Sequence, residues 1–223
     1  VPVVVSKAPY ATLNAALTIP SNASLLQNFN LLAGELGVNP TGVTQTLVMG
    51  ATGLADQQQA LLRQASRSIP IVYGRNMSVG VLVLTALARE AARLLGSEAD
   101  IEIVEAHHRN KVDAPSGTAL QLGEAVAGAL GRRLDDIATG DRFATRAPRR
   151  PGSIGFSSVR AGQIIGDHEV LFALDEEILR LEHRALDRAT FARGALRAAR
   201  WVAGQAPGLY GMADVLGLAP PRT

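Results

Sequence analysis

The chain has 223 residues, of which 47% are hydrophobic and 19% are charged, a balance typical of a globular protein and not of a disordered one. The formal net charge is only +2, which gives little reason to expect nucleic-acid binding. The chain contains no cysteine, so disulfide bonds and thiolate metal sites are excluded.

The most apolar stretch, residues 79–88, ends at Arg89 and is too short to cross a bilayer. No charged region followed by an apolar core and a cleavage site precedes it, so the sequence shows no secretory signal. We therefore expect a soluble, cytoplasmic protein. Because the first residue is Val and not Met, we also expect translation to begin upstream of this chain.

In the first half of the chain, short β-branched runs alternate with longer segments whose apolar residues recur at helical spacing. We predict strands at residues 2–5, 46–49 and 69–73 and helices at residues 23–36, 56–67 and 79–95. Such alternation is typical of an α/β fold with a doubly wound, Rossmann-like parallel sheet. The glycine-bracketed loop at 50–53 follows a strand and precedes a helix, the place where open α/β sheets bind ligands.

In the second half, consecutive strands follow one another with short links. We predict strands at residues 100–104, 154–160, 168–174 and 177–183 and helices at residues 117–130 and 187–202. Strands joined in this way are typical of an antiparallel or mixed sheet, so we expect a second domain of the α+β class. We expect the last helix to bury the face that carries Phe191, Leu196 and Trp201.

The segment from Glu105 to Ala119 holds two of the four histidines and one of only two lysines in a chain that otherwise uses arginine. A lysine can be tuned to release a proton, whereas arginine stays charged. The segment then passes through Ser-Gly-Thr into an apolar run, a pattern that marks the start of a helix, and helix N-termini bind anions. Composition alone also allows an ordinary surface loop, because Asp-Ala-Pro-Ser-Gly is common turn chemistry.

The order of these residues favours the chemical interpretation. Residues 107–119, His-His-x-x-Lys-x-Asp-Ala-Pro-Ser-Gly-Thr-Ala, closely resemble the signature of the 4-hydroxy-tetrahydrodipicolinate reductase family. At 50–53 the chain has Gly-Ala-Thr-Gly where the family has Gly-Thr-Thr-Gly. Further similarity follows in the family's order at residues 76–81, 154–160, 166–170, 183–185, 191–195 and 208–212. A match of this length is far more specific than a lone glycine motif.

The resemblance implies an enzyme that reduces dihydrodipicolinate, formed when 4-hydroxy-tetrahydrodipicolinate loses water, with hydride from NADH or NADPH in the diaminopimelate pathway to lysine. It implies that His107 donates or accepts a proton and that Lys111 is a second proton donor and a cation for the developing charge. It also implies that His108, Gly117 and Thr118 bind the carboxylates of this small dicarboxylate substrate; the alternative for His108 is a neighbour that orients the site.

The resemblance further implies a nicotinamide cofactor and a homotetramer. Two loops are expected to contact the cofactor, through Gly50, Ala51, Thr52, Gly74, Arg75, Asn76 and Met77. We therefore predict a partial dinucleotide-binding domain at residues 1–78, with residues 203–223 packing back on it. Residues 79–202 are predicted to form a substrate-binding and oligomerisation domain.

Three other polar residues are expected to be structural. Asp113 is expected to serve a turn or a helix cap, and His168 and His183 lie in strand-like runs. Only His107 and His108 are clustered among the histidines, and adjacent residues on a strand point to opposite faces. We therefore expect no metal site.

The front of the chain departs from the family, whose members begin with a strand and a Gly-x-x-Gly-x-Met-Gly loop for the pyrophosphate. No such loop is present here, so a βαβ unit of roughly 30 residues or more is expected to be missing. We predict that this chain by itself binds NADPH and NADH weakly, which a fluorescence titration beside an upstream-extended version checks. The alternative is a degenerate reductase-like protein that binds no nucleotide and acts as a binding or assembly module; the upstream sequence distinguishes the two.

Overall fold

The computed structural model describes residues 46–51, 54–140, 144 and 146–218. The strand predicted at 2–5 and the helix predicted at 23–36 lie outside these residues. In chain order the elements are β1 (Leu47–Gly50), α1 (Asp56–Ala65), β2 (Pro70–Gly74), α2 (Val79–Leu95), β3 (Asp100–His107), α3 (Gly117–Ala129), α4 (Leu134–Ile137), β4 (Ala138–Thr139), β5 (Ile154–Arg160), β6 (Asp167–Ala173), β7 (Ile178–Arg184), α5 (Ala189–Val202), β8 (Gly208–Tyr210) and α6 (Met212–Val215). Among the described residues, none of the helices combines the length and the apolar character that crossing a membrane requires.

Every helix and strand predicted within the described residues is present, with ends that differ by at most three residues. The largest difference is in β3, which continues to His107 instead of ending at Val104. Four elements were not predicted, namely α4, β4, β8 and α6. Each has two to four residues, which is too short to establish a periodic pattern.

The described part of the chain divides into two compact units, one of residues up to Val79 together with those from Ala189 onward, and one of Gly80–Arg188. The predicted division placed residues up to Val202 in the second domain. It differs because helix α5 packs on strands β1 and β2 of the first unit.

Helix α5 buries small residues instead of the predicted large ones. Its buried residues are Gly194, Ala195, Ala198, Ala199 and Val202, whereas Phe191, Leu196 and Trp201 are only partly buried. A side chain at Gly194 would collide with the backbone carbonyl of Met77, so the glycine allows a close approach of the two segments. The prediction that these three large residues are the buried ones was wrong, although Phe191 lies on the same face as Ala195, Ala198 and Val202. Close approach, and not side-chain size, selects the fully buried residues here.

The first unit contains a three-stranded parallel sheet of order β1-β2-β8. β1 and β2 pair so that Gly50 lies opposite Gly74, and the carboxyl ends of both strands meet at one edge. Leu62 of α1 packs in the core of this unit with Ile69 and Ile71. The parallel sheet predicted for this part of the chain is confirmed.

The second unit contains a five-stranded mixed sheet of order β4-β5-β3-β6-β7. Strand β3 runs parallel to β5 and antiparallel to β6, and β6 runs antiparallel to β7. The mixed sheet predicted here is therefore confirmed. Its core is formed by Ile101, Ile103, Ile154, Val170 and Phe172 together with apolar residues of α2 and α3.

Candidate active site

One face of the mixed sheet is apolar at one end and polar at the other. Every second residue of β3 is buried, and the buried series runs from Ile101 and Ile103 to Glu105 and His107. Side chains two residues apart on a strand share a face. Glu105 and His107 therefore continue the core face of the sheet beyond its apolar part.

The neighbouring strands add three polar residues at the same end. Strand β5 places Ser158 opposite Glu105 and Arg160 opposite His107. On the other side of β3, strand β6 places His168 opposite Glu105. The strand register thus concentrates five polar residues around the carboxyl end of β3.

The imidazole of His107 is almost enclosed. Its Nδ1 atom lies 2.5 Å from Oε2 of Glu105, and only 9% of the residue is exposed. A Cβ atom at Gly166 would lie 3.1 Å from Nε2 of His107. Glycine at this position therefore leaves room beside the second ring nitrogen.

The carboxylate of Glu105 is buried and receives hydrogen bonds on both oxygens. Arg160 donates from Nη1 to Oε2 at 2.8 Å and from Nη2 to Oε1 at 2.7 Å, and the backbone N–H of Ser116 donates to Oε1 at 3.2 Å. Burial alone raises the pKa of Glu105, but hydrogen bonds from His107, Arg160 and Ser158 outweigh burial and hold the pKa well below its usual range. Glu105 is therefore a charged group inside the protein.

His168 lies beside His107 and is also buried. The two rings meet edge to face with centroids 5.0 Å apart, and Nε2 of His168 lies 3.1 Å from Oγ of Ser116. Burial and, secondly, the electrostatic influence of the neighbouring His107 lower the pKa of His168 to about 3, so the His168 imidazole is neutral at pH 7. The structural role expected for His168 is thus not its whole role, because its ring also forms one wall of the polar cluster.

Lys111 is paired with Asp113 next to this cluster. Its Nζ atom lies 2.8 Å from each carboxylate oxygen of Asp113, and the backbone carbonyl of Asp113 accepts a hydrogen bond from Nη2 of Arg160 at 2.5 Å. Burial raises the pKa of Asp113, but the hydrogen bond and charge of Lys111, together with a backbone hydrogen bond and the charge of Arg160, outweigh burial, so the pKa is lowered. Asp113, expected to serve only a turn or cap, therefore connects Lys111 to Arg160.

Helix α3 begins beside the same cluster. Its N-cap is Ser116, whose Oγ accepts a hydrogen bond from the N–H of Ala119 at 3.1 Å. Gly117 and Thr118 form the first turn, where the helix dipole and the first N–H groups favour an anion. His108 follows directly after the end of β3.

The residues predicted to contact a cofactor lie at the carboxyl ends of β1 and β2. Gly50 and Gly74 are opposite each other in the parallel register, and Oδ1 of Asn76 accepts a hydrogen bond from the N–H of Ser78 at 2.8 Å. Met77 is buried, and its Cγ lies 3.1 Å from the position of a Cβ at Gly50. The remaining predicted residues are Ala51 after β1, the exposed Arg75 after β2, and Thr52, which lies outside the described residues.

The cluster in the second unit is suited to proton transfer. It contains an imidazole held by a buried carboxylate, with a lysine connected through Asp113 and Arg160, and such groups serve general acid–base catalysis. Within 46–51, 54–140, 144 and 146–218, no three His, Asp or Glu side chains are grouped so as to hold a metal ion.

Glu105, Arg160 and His168 belong to this cluster and were not predicted as functional residues. A signal for them is present in the sequence, because each lies in step with apolar residues of its strand: residues 101–105, 154–160 and 168–172 alternate between one face and the other. A charged or polar side chain at a core position of a strand is expected to be buried and therefore to need a partner. Three such positions on neighbouring strands indicate a buried polar site.

Comparison with known sequences gives a consistent result. The family model described as "Dihydrodipicolinate reductase, C-terminus" matches residues 80–216. The chain is 53% identical over 174 residues to the 4-hydroxy-tetrahydrodipicolinate reductase of Pseudomonas fluorescens (strain SBW25). This alignment covers 78% of this chain and 65% of that protein. It is 52% identical over 172 residues to the protein of the same name from Halorhodospira halophila (strain DSM 244 / SL1). This second alignment covers 77% of this chain and 64% of that protein. The chain thus spans slightly less than two thirds of these relatives.

A solved structure shares the fold. The dipicolinate-bound dihydrodipicolinate reductase from Paenisporosarcina sp. TG-14 aligns with a TM-score of 0.56 and 24% sequence identity, over 76% of this chain and 63% of that one. The family match at residues 80–216 includes the whole polar cluster around Glu105 and His107. From the extent of this match, the chain belongs to the dihydrodipicolinate reductase family.

Proposed function

We propose that the protein containing this chain reduces dihydrodipicolinate, formed from 4-hydroxy-tetrahydrodipicolinate by loss of water, to tetrahydrodipicolinate with NADPH or NADH. The reaction belongs to the diaminopimelate pathway to lysine, in the cytoplasm. The observation that carries the proposal is the buried cluster of His107, Glu105 and Arg160 within the family-matched residues. Relatives at 53% and 52% identity that bear the reductase name support it.

His107 is the proton donor in this proposal. A bound nicotinamide supplies the hydride, whose arrival leaves negative charge on the substrate ring. An imidazole exchanges protons near neutral pH and can neutralise that charge. Lys111 adds a second proton donor and a cation, and Asp113 orients its ammonium group through both carboxylate oxygens.

The start of helix α3 is the proposed carboxylate site. Gly117 has no side chain, so an anion can approach the backbone closely, and Thr118 offers a hydroxyl donor in the same turn. The partial positive charge of the helix N-terminus adds to these contacts. His108 is the proposed partner of the substrate's second carboxylate.

The loops after β1 and β2 suit the nicotinamide end of a cofactor. Two parallel strands end side by side at Gly50 and Gly74, and the carboxyl ends of parallel strands are where such sheets bind ligands. In the proposal the cofactor is held by Gly50, Ala51, Thr52, Gly74, Arg75, Asn76 and Met77.

The reaction is tested with the full-length product of the gene. Supplied with 4-hydroxy-tetrahydrodipicolinate, it should oxidise NADPH or NADH, followed by the fall in nicotinamide absorbance. It should also restore growth without diaminopimelate to a bacterium that lacks its own reductase. Failure of both would favour the degenerate, non-catalytic alternative.

Thr118→Val tests the carboxylate site, because it keeps the shape of the side chain and removes the hydroxyl. A hydrogen bond to a charged group contributes roughly 1.5–3 kcal/mol, so affinity for pyridine-2,6-dicarboxylate should fall by about 10- to 150-fold. The affinity is measured by calorimetry. Thr85→Val, the same change on α2 where Oγ1 bonds to the Val81 carbonyl, is the control. Equal affinity in both variants would place the carboxylate elsewhere.

We also propose that the mixed sheet forms the interface of a homotetramer. On the face opposite the polar cluster, Val159 is 46% exposed and Ile178 is 55% exposed, and exposed apolar groups on a sheet favour association. Sedimentation equilibrium at micromolar concentration should give a tetramer that Val159→Glu with Ile178→Glu dissociates. Leu94→Glu on α2, where the leucine is 67% exposed, should leave it intact. A purely monomeric parent protein would contradict the proposal.

A further inference from the structure

The buried carboxylate of Glu105 contacts His107, one of the two predicted proton donors, through the ring atom Nδ1. Its Oε2 receives Nη1 of Arg160 at 2.8 Å and faces Nδ1 of His107 at 2.5 Å. Its Oε1 receives Nη2 of Arg160 at 2.7 Å and the N–H of Ser116 at 3.2 Å. An ionised carboxylate only accepts hydrogen bonds, and the paired guanidinium keeps this one ionised. Nδ1 of His107 must therefore carry a proton.

We propose that Glu105, locked by Arg160, is a positioning residue that keeps one proton of His107 on Nδ1, so that Nε2 takes up a second proton from solvent and delivers it to the substrate. The inference rests on the proposed reductase function and specifies which nitrogen of His107 reacts. A carboxylate that selects the tautomer of an imidazole in this way is a general means of preparing a histidine for catalysis.

The surroundings of His107 fit this assignment. Nε2 lies on the side of Gly166, where a Cβ would approach to 3.1 Å, so the position leaves space next to the reacting nitrogen. On another side, the edge-to-face contact with His168, at 5.0 Å between centroids and 75° between planes, restricts rotation of the His107 ring. A flipped ring would also lose the bond from Nδ1 to Glu105.

Glu105 also connects His107 to the proposed carboxylate site. Its Oε1 accepts the backbone N–H of Ser116, and Ser116 is the N-cap of helix α3. One carboxylate therefore sets the orientation of the proton donor and the start of the helix whose first turn contains Gly117. The three-way contact explains why a charged group is retained inside the core, where it is costly without partners.

Two variants remove the acceptor in different ways. In Glu105→Gln, Arg160 takes the amide oxygen, so the amide NH₂ faces Nδ1 and the proton of His107 moves to Nε2. In Glu105→Leu combined with Arg160→Met, both charges are replaced by apolar groups, a change that buried ion pairs often tolerate. Glu90→Gln on α2, whose partner is Arg93, makes the same chemical change outside the cluster and is the control.

The tautomer is read from ¹⁵N chemical shifts of histidine-labelled full-length protein, with His107 assigned by the signal lost in His107→Gln. For the neutral ring we expect Nδ1–H in the parent protein and in Glu90→Gln, and Nε2–H in both Glu105 variants. With them kcat should fall by roughly 10²- to 10⁴-fold, far more than KM rises. The control should keep its kcat.

An Nδ1–H signal that persists in the Glu105 variants overturns the inference, whatever the rates. A tautomer change with kcat within about threefold of the parent also overturns it, because the reacting nitrogen would then not matter. If the parent protein reduces no dihydrodipicolinate, the proposed function fails, whereas the chemical shifts still decide whether Glu105 sets the tautomer of His107.

Discussion

His107→Gln should lower kcat of the full-length enzyme by about 10²-fold or more, the usual cost of losing a general acid–base group. Glutamine keeps a polar side chain of similar length but cannot deliver a proton near pH 7. Because His107 is bonded to Glu105 and not to the start of helix α3, substrate affinity should change much less than kcat. The measurement is steady-state NAD(P)H oxidation at saturating substrate.

His183→Gln provides the matched control for His107→Gln. It makes the same substitution in the same sheet, on strand β7, where the ring packs against Gly80 of α2. Its kcat should stay within about twofold of the parent. If His107→Gln also stays within that range, His107 is not the proton donor and the role passes to another group, with Lys111 the first to examine.

The parts of the fold that the sequence predicts well are those with long, regular periodicity. Helix α2 shows helical spacing over 17 residues, and its predicted bounds, 79–95, coincide with the observed ones. Strand β5 likewise matches its predicted bounds of 154–160. In α2 buried residues recur from Val81 to Ala92, so no single contact decides where the helix ends.

Which residues helix α5 buries fully was not predictable from its own sequence. Its large side chains suggested burial of Phe191, Leu196 and Trp201, but the position of Gly194 against the Met77 carbonyl favours burial of the small residues. That contact depends on a segment more than 100 residues away in the chain. Local hydrophobicity contains no information about how closely two backbones approach.

The polar cluster likewise contains some residues that the sequence predicts and others that it does not. His107 and Lys111 were found through the order of residues in one segment, whereas Glu105 and Arg160 become meaningful only when strands β3 and β5 pair. The alternation within each strand places a charge on the core face, but the partner of that charge follows only from the register. When the core faces of β3 and β5 are considered together, and not one strand at a time, Glu105 and Arg160 are expected to pair.

Arg160→Met should destabilise the protein by about 3–5 kcal/mol at pH 7, because it leaves the buried carboxylate of Glu105 without its guanidinium. The side chain of Glu105 is only 1% exposed, so water cannot replace the lost partner. Urea unfolding followed by circular dichroism measures the loss. Arg184→Met is the control, since Arg184 pairs with Asp167 while 61% exposed, and such surface pairs contribute roughly 0–1 kcal/mol.

The loss of unfolding free energy in Arg160→Met should become smaller as the pH falls. The pKa of Glu105 in the folded parent lies below its ordinary value of 4.5, so its charged form stabilises the fold above that pH, and this contribution disappears as the pH falls through the folded-state pKa. In Arg160→Met, burial instead raises the pKa of Glu105, and the carboxyl group can be protonated at little cost near pH 4. The difference in unfolding free energy between parent and variant should therefore be largest at pH 7, shrink as the pH falls through the raised pKa of Glu105 in the variant, and shrink further below about pH 4.5, where the parent loses its own contribution. A difference that stays constant from pH 7 to pH 4 would show that Arg160 stabilises the fold by its packing and not by its charge on Glu105.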